Sequence, residues 1–240
     1  MRRMMVACAS ACLMASQPGV AQPVPAAPLV PRFDPGAFRD ASVTNPFFPL
    51  EPGAVYVYAI REGTRTSVDS ITVTREKKRV GGVAVVVVHD RVRRAGKIVE
   101  DTRDWYAQDT AGTVWYLGEA TTSYEGKTPN TNGSWEHGVS GARAGIIMQA
   151  RPTVGGAYRQ EYRKGIAEDM GRVVSVDDSV SVPAGRYSGC ITTEDWSPLE
   201  PETMERKIYC RGVGVVREMT TKGGNEVVEL VSMRRPQARL

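Results

Sequence analysis

From Pro52-Gly53 onward, hydrophobic and polar positions alternate in short runs of β-branched and aromatic residues, and glycine-bearing turns cut each run off from the next. The runs cover residues 55–60, 67–74, 83–92, 97–107 and 113–118, with turns at Gly63, Gly81-Gly82, Gly96 and Gly112. A second series covers residues 157–164, 172–182, 186–193, 206–211, 214–220 and 226–232. Period-2 runs at this spacing predict a mainly β protein, an antiparallel meander forming a curved sheet or partly open barrel. Alternation disappears in Val83-Ala84-Val85-Val86-Val87-Val88, which predicts a strand buried on both faces.

Between the two series, residues 120–151 carry few strand signals. Ala, Ile and Met in residues 142–150 have fair helical propensity, so one short helix is predicted in this central insert. An insert of that length could cover a ligand cavity. At an offset of 102 residues, Gly53, Tyr56, Arg61, Gly63, Val80, Glu100, Gly112 and Val114 meet identical residues. This is a reading in which halves 46–119 and 152–233 are duplicates within a single domain, 44–233. Ahead of it, residues 22–43 are rich in Pro and Ala and read as a linker, and the apolar string Asn45-Pro46-Phe47-Phe48-Pro49-Leu50 is expected to plug the end of the core. Residues 234–240 read as a disordered tail.

The start of the chain adds a location. Arg2 and Arg3, an apolar stretch from Met4 to Ala15 and the small-residue triplet Gly19-Val20-Ala21 have the layout of a secretory signal peptide, residues 1–21. The apolar stretch is shorter than the roughly 20 residues a membrane span needs, and no later segment reaches that length. The expected location is therefore periplasmic or extracellular, with no transmembrane segment; a lipid anchor on Cys8 or Cys12 is the less favoured alternative. Without the two leader arginines, 29 basic side chains face 27 acidic ones. The basic clusters at residues 75–79 and 91–94 have no interleaved aromatics and fit solvated strand ends, so nucleic acid is not an expected partner.

Cys190 and Cys210 remain after export, in a compartment that favours disulfides. Each lies ten residues from Glu200, so a hairpin turning at Ser197-Pro198-Leu199-Glu200-Pro201 would set them opposite one another. A disulfide is predicted.

Candidate chemistry is sparse. His89 and His137 are far apart and in no ligand motif, and no nucleophile elbow, phosphate loop or dinucleotide fingerprint occurs. No cofactor and no metal are expected. Acids do stand beside aromatics unusually often, in Asp104-Trp105-Tyr106, Trp115-Tyr116, Glu119, Trp135-Glu136, Glu161-Tyr162, Glu168-Asp169 and Asp195-Trp196. Such pairs can stack on sugars, orient a ligand in an apolar pocket or offer oxygens to calcium. Neighbours on a strand point to opposite faces, so a core tryptophan beside a solvated acid gives the same string.

The strings Asn45-Pro46-Phe47-Phe48-Pro49-Leu50, Asp104-Trp105-Tyr106-Ala107-Gln108-Asp109 and Val114-Trp115-Tyr116-Leu117-Gly118-Glu119, with Gly133-Ser134-Trp135-Glu136, resemble a set of uncharacterised exported bacterial proteins across most of the mature chain. Ile208-Tyr209-Cys210-Arg211-Gly212-Val213-Gly214 resembles more faintly the curved-sheet envelope proteins of the lipoprotein-carrier type, which implies a concave sheet holding an apolar group. The preferred reading is a non-catalytic binding protein for a small apolar, lipid-like or glycan ligand, held by Trp105, Tyr106, Trp115, Glu119, Trp135, Glu136 and Glu168. A carboxylate-dependent glycan hydrolase using Glu136 with Glu168 or Asp169 is the enzymatic alternative. A structural envelope protein without a ligand is the third.

Overall fold

Backbone pairing follows the sequence runs closely in the computed structural model, which describes residues 30–236. The predicted leader, with Cys8, Cys12 and the predicted cleavage position after Ala21, lies with residues 22–29 and 237–240 outside the described residues. The strands are β1 (Val55–Glu62), β2 (Arg65–Val73), β3 (Lys78–Val80), β4 (Val83–Arg94), β5 (Lys97–Gln108), β6 (Val114–Ser123), β7 (Trp135–Glu136) and β8 (Arg143–Met148). They continue as β9 (Tyr158–Arg159), β10 (Glu161–Tyr162), β11 (Met170–Val182), β12 (Gly185–Trp196), β13 (Met204–Cys210), β14 (Gly214–Lys222) and β15 (Val227–Arg234). One 3₁₀ turn, Pro35–Ala37, is the helical content of the described residues.

All fifteen strands belong to one antiparallel sheet, ordered β10-β8-β6-β5-β4-β2-β1-β15-β14-β13-β12-β11-β9, with β3 on β4 and β7 on β6. Strands before the insert form one contiguous block and strands after it, β10 apart, form another; the two meet where β1 pairs with β15, and β10 sits beyond β8 at the opposite end of the first block. The ladder does not close. Its two terminal strands are nevertheless consecutive in the chain, separated by Gln160 alone, so the sheet must roll until its ends come together. Gly145 on β8 makes this seam possible: a Cβ there would lie 2.4 Å from the Gln160 carbonyl carbon.

The rolled sheet has two apolar layers. Inside lie Tyr56, Tyr58, Ile60, Val86, Val88, Tyr106, Tyr116, Trp135, Tyr209 and Leu230. On the outer face Val85, Val87, Trp105, Trp115 and Leu117 form a second cluster against Phe33 and Phe38. The non-alternating valines of β4 thus serve both layers, as two-faced burial requires. Residues 33–43, which composition assigns to the linker, supply this outer cover; Phe33 stands edge-on to Trp115 at 5.6 Å, and Val43 is buried in the inner core.

Asn45, Phe47 and Leu50 are buried at one end of the core, as expected of a plug. Asn45 fastens it: Nδ2 donates to the carbonyls of Gly112 and Gln149, at 2.9 and 3.0 Å, and Oδ1 accepts from the Phe47 amide. Gln108 Oε1 accepts from the amides of Thr44 and Asn45.

The disulfide is present between Cys190 and Cys210, on paired strands β12 and β13 whose register about residue 200 is the predicted one. The helix is not. Residues 143–148 form β8, which pairs with β6 at Val114↔Met148, Trp115↔Ile146 and Tyr116↔Gly145. Helical propensity is worth only tenths of a kcal/mol per residue. Pairing the edge of β6, with Ile147 turned inward and Ile146 outward, outweighs it.

Candidate functional site

Registers across β2, β4, β5, β6 and β7 lay the inner wall out in rows. One row runs Val73, Val88, Asp104, Glu119, Trp135, and the next runs Ile71, Asp90, Thr102, Thr121. A bulge opposite Trp105/Tyr106 brings Tyr106 beside Tyr116, with rings stacked at 4.9 Å, and Trp135 stands edge-on to Tyr116 at 5.3 Å. Gly118 permits the bulge. It holds φ +142°, and a Cβ there would sit 2.4 Å from the Trp135 carbonyl oxygen.

Two carboxyl groups meet on this wall. The Tyr116 hydroxyl lies 2.7 Å from Asp104 Oδ1 and 3.2 Å from Glu119 Oε2. Asp104 is 0 % and Glu119 4 % exposed. Burial pushes the Asp104 carboxyl up to about 7, with nearby Asp90 acting in the same direction and the Tyr116 hydrogen bond opposing. Glu119 is pushed well above the ordinary carboxylate range, chiefly by burial and then by Glu161 and Asp104. Asp104 Oδ2 and Trp135 Nε1 are both buried without a hydrogen-bond partner.

Across the interior, Lys207 Nζ lies 3.0 Å from Asp195 Oδ2 and 4.0 Å from Glu205 Oε2. Burial works against its charge, but Glu218, Asp195 and Glu205 outweigh that and raise its pKa. Glu205 itself is pushed up to about 8, by burial first and then by Glu218. Between this group and the plug lies a mostly apolar cavity of about 90 Å³, lined among others by Phe48, Tyr58, Ile71, Val88, Tyr106 and Tyr209.

The predicted site residues fall into separate places. Tyr106 and Trp135 face the interior, whereas Trp105 and Trp115 belong to the outer cluster, because alternate residues of a strand point to opposite faces. Trp105, Glu119, Trp135 and Glu136 do share a shallow cleft of about 240 Å³ with Ser134 and Arg163. Glu136 is 2.9 Å from Lys78, whose ammonium sits 4.0 Å over the Trp105 ring. Glu168 accepts from the Gly165 amide and lies 3.9 Å from Arg159. The Asp169 carbonyl receives the Gln160 amide beside the seam. The carboxyl pair joined through one hydroxyl is thus Asp104 with Glu119. Asp104 and Tyr116 were visible in the acid-aromatic strings; what the strings lacked was the register that puts both beside Glu119.

His89 Nε2 is 2.9 Å from Asp101, and His137 Nδ1 accepts from the Ala144 amide. Among the described residues no three His, Cys, Asp or Glu side chains converge at metal-binding spacing, and no helix is long and apolar enough to cross a membrane.

No protein-family model and no curated protein matches the chain. Among solved structures it is similar to a Bacteroides fragilis protein with a YmcC-like fold, named as an exported protein, at 15 % identity and TM-score 0.49 over 80 % of this chain and 100 % of that one. It is also similar to a Parabacteroides distasonis protein named as a lipoprotein, at 18 % identity and TM-score 0.45 over 82 % of this chain and 100 % of that one.

Proposed function

We propose that the protein is exported and acts outside the cytoplasm as a non-catalytic binding protein for a small apolar or lipid-like ligand. The observation that carries this reading is the apolar cavity inside the rolled sheet, bounded by Tyr58, Ile71, Tyr106 and Tyr209 and covered by Phe48 of the plug. A folded core normally fills such space with side chains. At about 90 Å³ the cavity is smaller than the ~150 Å³ that holds a benzene in an engineered apolar cavity. It therefore suits a short alkyl group, and the rest of a longer chain would lie at its open side beside the plug. The apolar lining favours this class over a glycan, which would need a row of hydrogen-bonding groups. Enclosure of Asp104 and Glu119 favours holding a ligand over hydrolysing one.

The test is native mass spectrometry of the protein taken from its source, followed by calorimetric titration with n-octanol. A co-purifying apolar mass or saturable octanol binding is expected, and Val228→Phe, an enlargement of a residue that lines the cavity, should abolish it. A clean apo mass together with no octanol binding would overturn the reading in favour of a purely structural protein.

A further inference from the structure

We infer that the ligand is an amphiphile with a cationic head, an alkylammonium or alkylguanidinium, whose apolar part fills the cavity and whose head is received by Asp104 and Glu119 within the Tyr106, Tyr116 and Trp135 rings. This rests on the binding reading above and names its ligand class.

Adjacency is the first support. Val88 and Tyr106 line the cavity, and both touch Asp104's position: Val88 is its cross-strand partner, and Tyr106 is the next residue on the same face of β5. The carboxyl pair thus stands beside two residues of the cavity wall without lining the cavity itself, and a head group would reach it past Val88 and Tyr106. The second support is an unmet bond. Asp104 is fully enclosed, its Oδ1 receives the Tyr116 hydroxyl, and its Oδ2 has no partner. Buried carboxylate oxygens are costly to leave without a donor, and an ammonium or guanidinium supplies charge-assisted N–H donors to such an atom.

The third support is the surrounding chemistry. The Tyr106, Tyr116 and Trp135 rings lie together at 4.9 and 5.3 Å beside the pair, and aromatic rings attract organic cations in desolvated sites. Asp90 and Glu161 act on the pair through space in the same sense as the two carboxyls act on each other. Burial holds both carboxyls toward their protonated form, so a cationic head is the one that would gain by ionising them, and an anionic or neutral head would not. The interior lysine does not compete for the pair, since Lys207 is engaged by Asp195 at 3.0 Å.

Three probes with one tail separate the possibilities: n-octylammonium, n-octanol and n-octanoate, titrated at neutral pH into protein recovered from the periplasm or medium. Octylammonium should bind at least tenfold more tightly than octanol, with octanoate weakest, and Asp104→Asn should erase the difference between the first two. Because a buried variant can fail to fold, Glu119→Gln is the second test, and it should narrow the same difference. Octanol binding as tightly as octylammonium to the unmodified protein would overturn the cationic head while leaving the binding protein standing. A preference for octylammonium that survives in a folded Asp104→Asn variant would overturn the role of the pair. Binding of none of the three would overturn both readings together.

Discussion

At the residue scale, single atoms decide which side chains can share a site. Asp104-Trp105-Tyr106 reads in sequence as one acid-aromatic motif, yet strand alternation sends Trp105 to the outer cluster and keeps Asp104 and Tyr106 inside. That much was legible from period 2 alone. The Asp104–Glu119 meeting was not, because it depends on a bulge whose position is set by Gly118. Gly118→Ala should lower stability by about 1–3 kcal/mol in urea unfolding, from backbone strain at positive φ and the clash with the Trp135 carbonyl. The acid pair makes a pH prediction as well. The Asp104 pKa rises from 3.8 to about 7 on folding, so the folded state binds more protons than the unfolded chain between those values. Its contribution is fully present below about pH 4 and is lost as pH rises through about 7, a change on the order of 4 kcal/mol at most. Urea midpoints across this range should therefore fall less steeply with pH in Asp104→Asn than in the unmodified protein. Identical slopes would show that the carboxyl is not perturbed.

At the element scale, strand positions were legible because each strand has its own turn residues, whereas the insert was misread because its conformation is set by a distant partner. Residues 142–150 have no alternating pattern strong enough to overrule Ala and Met, and β8 exists because the edge of β6 is available to it. Strand β3 was missed for a related reason, since three residues are too few to show a period. The plug was legible as an apolar string, but its fastening lies in one polar side chain. Asn45→Ala would leave the carbonyls of Gly112 and Gln149 without their donor, and should cost about 2–3 kcal/mol by denaturant titration. The β12–β13 hairpin carries the other fastening. Replacing Cys190 and Cys210 together by Ala removes a cross-link spanning 20 residues, and the loss expected from chain entropy is about 3 kcal/mol. A stability unchanged in the double variant would mean that the unfolded chain is not expanded enough for the link to restrict it.

At the scale of the whole molecule, two boundaries of the rolled sheet can be compared as routes to its interior, the plugged end and the seam at Gln160. They differ in kind. The seam lacks a continuous ladder, but the Gln160 backbone is packed against Gly145 with no room for even a methyl group, and its amide is hydrogen-bonded to Asp169 at 2.9 Å. The plug borders the cavity directly through Phe48, Pro49 and Leu50, and its amides at Phe48 and Leu50 are held by the carbonyls of Asn45 and Val43, both at 3.0 Å. Opening the plug needs a few hydrogen bonds and local burial to be given up, whereas opening the seam would separate the ends of the whole sheet. Local opening free energies span from near zero to the global value, and entry is expected through the weaker element. Hydrogen exchange should therefore find the Phe48 and Leu50 amides exchanging at least about tenfold faster than those of Val87 and Trp105 in the centre of the sheet. Saturation with n-octylammonium should slow Phe48 and Leu50 and leave the amides of residues 158–162 as they were. Protection that appears at residues 158–162 instead would place the entrance at the seam, and the plug would then be a fixed end wall.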